Sequence, residues 1–155
     1  MDLVTQLLQE HKDYVAKLTT LAEAVEGIRA NGRDASYIET VNSLFAPFTT
    51  ELDQHAAREE DFLFPRILER APDSIVPTMI EDHEKLRKIS AIFGQWYPIW
   101  REGEDSAYQN WADSALELRG VFSAHMQKEN IIVFPLARRI LTPEEIAQLV
   151  HIREQ

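Results

Sequence analysis

The sequence contains no cysteine and only five glycines among its 155 residues. Without cysteine, the chain cannot use disulfides, thiolate catalysis, a zinc-finger fold or a cysteine-ligated iron–sulfur cluster. No apolar run reaches the roughly 18 residues that a membrane span needs. The N-terminus also lacks the basic and then apolar segment of a signal peptide. We therefore expect an intracellular, cytoplasmic protein.

Positive charge is scarce as well, since 16 lysines and arginines stand against 26 acidic residues and leave a formal net charge of −10. A nucleic-acid-binding face needs clustered positive charge to neutralise phosphates, and an anionic membrane surface demands the same. We therefore expect neither nucleic acid nor membrane as a partner. The length suits a single domain over residues 1–155 with a core of its own.

Apolar residues recur every three or four positions along most of the chain, which is the pattern of amphipathic helices. Four long helices are predicted, at about residues 3–30, 36–70, 76–100 and 106–140. A short fifth helix is predicted at about 143–153, with Thr142 as its cap. Pro65 and Pro135 are expected to kink the second and fourth helices. The pattern predicts an all-α, up-down-up-down four-helix bundle over about residues 3–140, followed by the short C-terminal helix.

Four of the five histidines fall one per long helix, each on the apolar face: His11, His55, His83 and His125. Glu59 and Glu129 follow the second and fourth of these by four residues, and residues four apart share one face of a helix. The second His-x-x-x-Glu segment lies 70 residues after the first, and both run on to Phe-Pro. The chain thus consists of two similar helical hairpins, which would bring four imidazoles and two carboxylates to one region.

These six residues predict a metal site. The alternative is a purely structural polar core, because a single histidine on an apolar face usually makes only a hydrogen bond. Two buried carboxylates beside four imidazoles would, however, cost several kcal/mol for each uncompensated charge, and cations remove that cost. Six ligands exceed the four of a tetrahedral zinc site and suit two ions, with bridging carboxylates and terminal imidazoles. Nitrogen and oxygen donors without sulfur favour iron or manganese, and zinc is tolerated.

Weaker roles are predicted for the residues around these six. Glu51, one turn before His55, is a candidate partner for the second ring nitrogen of that histidine, although a solvated side chain is the favoured interpretation. Arg87 is expected to extend into solvent, and His151 to be exposed in the polar tail. Helix geometry is expected to turn four acidic neighbours off the inward face: Glu10, Glu60, Asp82 and Glu84.

The ordered motifs resemble the hemerythrin-like family, also called HHE cation-binding. The matching parts are Glu10-His11, the segment from His55 to Glu59 with Phe64-Pro65, Asp82-His83-Glu84, and the segment from His125 to Glu129 with Phe134-Pro135. The resemblance implies a bundle with a non-haem di-iron centre. It also implies four terminal histidine ligands, two bridging glutamates, an oxo or hydroxo bridge and an exchangeable position; these ligands are His11, His55, Glu59, His83, His125 and Glu129.

The chain departs from the oxygen-carrying hemerythrins at two ligand positions. Those proteins have a second histidine four residues after the third-helix ligand, where this chain has Arg87. They also use an aspartate five residues after the fourth-helix histidine, where this chain has Asn130, and Glu129 takes over one position earlier. The chain therefore resembles the four-His, two-Glu subgroup.

Resemblance to that subgroup implies reaction with dioxygen, peroxide or nitric oxide in oxidative or nitrosative stress or in iron homeostasis. An electron-donor protein is then an expected partner. Two alternatives stay open, namely an iron- or gas-sensing or storage module and reversible oxygen binding. The resemblance decides neither whether the chain is an enzyme nor its oligomeric state.

Overall fold

The computed structural model describes the backbone of residues 1–154 and the side chains up to Leu149, so that His151 lies outside the described side chains. Within this range the α-helices are α1 (Leu3–Asn31), α2 (Ala35–Ala46), α3 (Leu52–Arg58), α4 (Phe64–Arg70), α5 (Val76–Arg101), α6 (Tyr108–Lys128), α7 (Phe134–Ile140) and α8 (Pro143–Glu154). A short 3₁₀ turn, Asp105–Ala107, precedes α6. Three π-helical turns complete the helical structure: Pro47–Glu51, Glu59–Leu63 and Glu129–Val133.

These elements form four long helices. Two of the π turns join α2, α3 and α4 into one continuous helix, and the third joins α6 to α7. Helix α1 packs against α2 and α6, while α5 packs against α6 and the first π turn. Short links make consecutive helices antiparallel. The predicted all-α bundle with a short C-terminal helix is confirmed, and no β-strand occurs in residues 1–154. Among the helices of this range, none has both the length and the apolar character to cross a membrane.

Side-chain caps set the ends of two helices. The Thr142 hydroxyl accepts from the Glu145 amide at 3.1 Å, and the Glu145 carboxylate accepts from the Thr142 amide at 3.0 Å. This reciprocal capping box begins α8 at the predicted position. Helix α2 begins slightly earlier than its pattern indicates, because the Asp34 carboxylate accepts from the Ser36 amide at 2.9 Å and caps the helix.

The helices continue through Pro65 and Pro135 by widening. In each case the residue before the proline donates its amide hydrogen five residues back, from Phe64 to the Glu59 carbonyl and from Phe134 to the Glu129 carbonyl. A π turn thus accommodates the absence of an amide hydrogen on each proline. Each of these two turns begins at one of the glutamates predicted to bind metal.

Two apolar clusters fill the bundle, one on each side of the four histidines. The larger reaches from Tyr14 to Trp111 and Trp100 at the end where the first and third links lie. The smaller contains Leu7 and Phe64 at the end where the chain begins and α8 packs. The histidines therefore occupy a layer that apolar side chains close from above and below.

Gly103 adopts φ +126° in the link between α5 and α6, a conformation that L side chains disfavour. We predict that Gly103→Ala lowers the free energy of unfolding by about 1–3 kcal/mol. The control is Gly120→Ala, at a solvent-exposed position within α6 that has open space around it. It should raise the free energy of unfolding by about 0.5–1 kcal/mol. Denaturant unfolding measures both, and changes of the same sign would contradict the prediction.

Candidate metal centre

The structure brings all six predicted site residues together in the layer between the two apolar clusters. Each of the four long helices supplies one histidine, and each of the two π turns that begin at a glutamate supplies one carboxylate. All six residues are at most 1% exposed to solvent. Because these side chains are enclosed, any charge that they carry must be compensated inside the bundle and not by bulk water.

The six side chains form two groups of four that share both glutamates. His11 and His55 belong to the first group and His83 and His125 to the second, while Glu59 and Glu129 belong to both. Within each group the candidate ligand atoms all lie within 4.8 Å of one another. The His83 Nε2 is 2.9 Å from Glu59, and the His11 Nε2 is 3.1 Å from Glu129. Two cations bridged by carboxylates would use this arrangement of donors.

Several candidate metal-ligand atoms in the site lack a hydrogen-bond partner among the described residues. They are the Nε2 atoms of His11 and His55 and all four carboxylate oxygens of Glu59 and Glu129. A buried polar atom without a partner costs free energy, so such atoms are rare in folded proteins. A metal ion accepts lone pairs from imidazole nitrogens and carboxylate oxygens, and the residues therefore fit a metal.

Each histidine is oriented by an acceptor on its outer nitrogen. The Nδ1 of His55 donates to Glu10 at 2.8 Å, and the Nδ1 of His125 donates to Asp82 at 3.0 Å. The other two pairs are His83 with Glu60 at 2.7 Å and His11 with the side-chain oxygen of Asn130 at 2.6 Å. In a neutral ring, holding the hydrogen on Nδ1 leaves the lone pair on Nε2, the nitrogen that faces the site.

Basic side chains hold the three acidic acceptors in place. Arg58 binds Glu10 through both of its terminal nitrogens, and Lys128 lies 3.3 Å from Asp82. Arg87 binds Glu60, with its Nη2 at 2.9 Å from the carboxylate. Arg87 reaches the surface, where its side chain is 30% exposed, and its guanidinium is engaged there with carboxylates.

The sequence analysis did not predict these acceptors, because the geometry of a single helix places them off the face that carries its own ligand. They do point away from their own helix's ligand, but each reaches the histidine of an adjacent helix. Glu10 on α1 takes the role considered for Glu51, since it contacts His55 on α3. A detectable signal existed, because each acceptor is a sequence neighbour of one of the six residues. Only the arrangement of the helices identifies which histidine it contacts.

Burial controls the protonation of the six groups. Desolvation, together with the adjacent Glu129 carboxylate, raises the pKa of Glu59 well above its usual range. Although desolvation opposes the change, the neighbouring Glu59 carboxyl group and the His11 and His125 imidazoles lower the pKa of Glu129. In the absence of a cation, one carboxyl group thus keeps its proton and the other is ionised. Desolvation also lowers the pKa of His83 to about 4, so that this imidazole is neutral at pH 7, as a metal ligand must be.

Comparison with known proteins agrees with this geometry. The family model described as the hemerythrin HHE cation-binding domain matches residues 2–137. The match spans the four long helices as far as Ala137 in α7, and it includes all six of the clustered residues. None of the curated proteins compared with the chain matches it.

The contact between Glu10 and His55 generates a prediction. Glu10→Gln removes the charge that holds the His55 ring and that Arg58 neutralises, and we expect metal affinity to fall by about 10–100-fold while the fold persists. The control is Glu51→Gln, which removes an exposed carboxylate one turn before His55. Competition with a coloured chelator measures the affinity of both variants, and equal losses would refute the assignment to Glu10.

The pKa of Glu59 generates a second prediction, for the metal-free protein. Below the ordinary value of 4.5 both the folded and the unfolded state hold the proton. Above it the unfolded state ionises first, so stability falls as the pH rises toward the folded-state pKa. We expect metal-free Glu59→Gln to be more stable than the wild type at pH 7, by about 1.4 kcal/mol for each unit by which the pKa is raised. Thermal unfolding at pH 4.5 and pH 7 tests this, and a difference that does not grow with pH would contradict it.

Proposed function

Because the chain belongs to the hemerythrin HHE cation-binding family, we propose that it is a non-haem di-iron protein that reacts with dioxygen, peroxide or nitric oxide. The iron ions supply the redox chemistry when bound, and the protein supplies their ligands. The proposed ligands are the six clustered side chains: His11, His55, Glu59, His83, His125 and Glu129. The role would lie in oxidative or nitrosative stress or in iron homeostasis, with a separate electron-donor protein.

The sharing of both glutamates between the two groups of donors is the observation behind the proposal. A single cation held by one group would leave the buried Nε2 atoms of the other group's two imidazoles without a metal. Two cations would engage all four imidazoles and both carboxylates. They would also displace the proton that the second carboxyl group keeps in their absence, and would neutralise the resulting carboxylate.

The donor types support iron as the metal. Each group offers two imidazoles together with carboxylate oxygens, which is the donor set of non-haem iron centres that keep open positions. Manganese and zinc accept the same donors and would be the competitors. The carboxylates on three of the four Nδ1 atoms make the imidazoles more basic and so strengthen binding.

Arg87 favours reaction with an oxidant over reversible oxygen carriage. It stands where an oxygen carrier has its fifth histidine, and its guanidinium cannot bind a cation. The second group therefore has only His83 and His125 as nitrogen donors, and the ion there would keep a position for an incoming molecule. The apolar clusters on both sides of the histidines limit the access of water to that position.

The test begins with anaerobic loading of the protein with ferrous iron. We expect about two irons per chain by elemental mass spectrometry, and a gain in melting temperature of about 5–15 °C over the metal-free protein. The reduced protein is then mixed separately with air-saturated buffer, hydrogen peroxide and nitric oxide, and absorbance is followed in a stopped-flow instrument. Repeated cycles with added reductant distinguish turnover from a single reversible binding event.

His55→Ala and Glu129→Ala should each lose at least one iron, because each removes a proposed ligand. Glu84→Gln is the matched control, since Glu84 adjoins His83 but is exposed. Unchanged iron content in both ligand variants would refute the ligand set. If the wild type does not take up iron, the six residues form a purely structural polar core. If it takes up iron that reacts with none of the three oxidants, the protein stores or senses iron.

A further inference from the structure

A cavity of about 470 Å³ leads from the surface to the histidine layer. It lies between α3 and α5, and Thr49 and Thr50 of the π turn Pro47–Glu51 also line it. His55 and His83, one from each donor group, line its inner end together with Phe122. Its sides are formed by Leu52 and Leu86. The cavity therefore reaches the metal centre from one side of the bundle.

The internal repeat shows that this cavity results from small side chains. Positions in α3 correspond to positions 70 residues later in α6, and positions in α1 to positions 72 residues later in α5. At the four corresponding positions of the cavity wall that are buried on both sides and differ in residue type, the cavity side has the smaller residue. The pairs, with the cavity side first, are Leu52 and Phe122, Ala56 and Met126, Leu86 and Tyr14, and Ser90 and Leu18.

The larger residues fill the corresponding groove on the opposite side, between α1 and α6. Tyr14 and Phe122 pack there with ring centroids 5.0 Å apart, and Leu18 and Met126 are also buried. The same backbone arrangement is thus closed on one side and open on the other. A sequence that needed only a well-packed bundle would close both.

The size of the cavity exceeds what a diatomic gas or hydrogen peroxide requires. A cavity of about 150 Å³ holds one benzene molecule. A volume of about 470 Å³ therefore accommodates an organic molecule of two or three ring-sized groups. Pockets of this order are the usual sites of small-molecule ligands in proteins.

The charges at the mouth select against an anion. Arg87 lies at the rim, but its guanidinium already contacts three carboxylates, those of Asp53 at 2.7 Å, Glu60 at 2.9 Å and Glu84 at 3.2 Å. Acidic groups thus outnumber the basic one at this place, and the whole chain has a formal charge of −10. A carboxylate or phosphate entering the cavity would meet repulsion without a free positive charge to offset it.

Two hydroxyl groups of the wall favour a hydrogen-bond donor. Ser90 donates its hydroxyl hydrogen to the Phe48 carbonyl at 2.7 Å, and Thr49 donates to the Phe45 carbonyl at 2.7 Å. Both side chains line the cavity with their hydrogens already used. They offer only acceptor oxygens to an occupant, which suits a hydroxyl or a hydroperoxyl group.

We propose that this cavity binds a neutral, mainly apolar organic molecule with a hydroxyl or hydroperoxyl group, seated between α3 and α5 with its inner end at His55 and His83. The inference rests on the proposed function in one respect, that the inner end of the cavity is the metal centre. It assigns to that centre an organic ligand, an alcohol or an organic hydroperoxide, instead of a gas molecule alone.

Isothermal titration calorimetry of the full chain with cumyl alcohol tests the proposal, with isopropylbenzoate as an anionic probe of similar size. We expect saturable binding of the alcohol with a Kd of about 1 mM or lower, and binding of the carboxylate at least about tenfold weaker. Ala91 lies at the surface and lines the cavity, so Ala91→Phe should fill it and weaken binding of the alcohol at least about tenfold.

The matched control is Thr19→Phe. Thr19 is the exposed residue of α1 that corresponds to Ala91, and its substitution should leave the Kd unchanged. Absence of saturable binding, equal effects of the two substitutions, or tighter binding of the carboxylate would each overturn the proposal. Melting temperature and iron content of each variant are measured in parallel. Iron loading without alcohol binding would refute only the cavity ligand, and alcohol binding without iron loading would refute only the di-iron function.

Discussion

The structure depends on the burial of two carboxylates among four imidazoles. Glu59 and Glu129 are fully enclosed, and their oxygens find no hydrogen-bond partner within the described residues. In an apolar interior such groups are tolerated when cations or shared protons compensate them. The two π turns place both glutamates at the same level of the bundle, and the apolar clusters on either side confine them to that layer.

The hydrogen bonds around this layer join each long helix to its neighbours. Glu10 connects α1 to α3, and Asp82 connects α5 to α6, in each case within one hairpin. Glu60 and Asn130 connect the two hairpins to each other, through His83 and His11. Because these contacts follow the repeat of the sequence, the two halves of the site are nearly equivalent. A duplicated hairpin can in this way build a centre for two metals.

The departures from that equivalence are concentrated on one side of the bundle. The buried wall residues of the cavity are smaller than their counterparts, and Arg87 stands at its mouth where the other half has Val15. Arg87 also binds Glu60, the carboxylate whose counterpart is the neutral Asn130. The equivalent residues thus form the proposed metal centre, while the differing residues line the cavity on one side of it.

The helices, their order and the six clustered residues could be predicted from the sequence, because the period of an α-helix decides which residues of one helix share a face. The start of α8 could likewise be predicted from Thr142, since a cap acts within three residues of the chain. The contacts of Glu10 with His55 and of Arg87 with Glu60 could not be predicted, because each joins two helices whose relative rotation is set by the tertiary structure. The cavity has the same origin, since Leu52, Ser90 and Phe122 become its walls only when three helices meet.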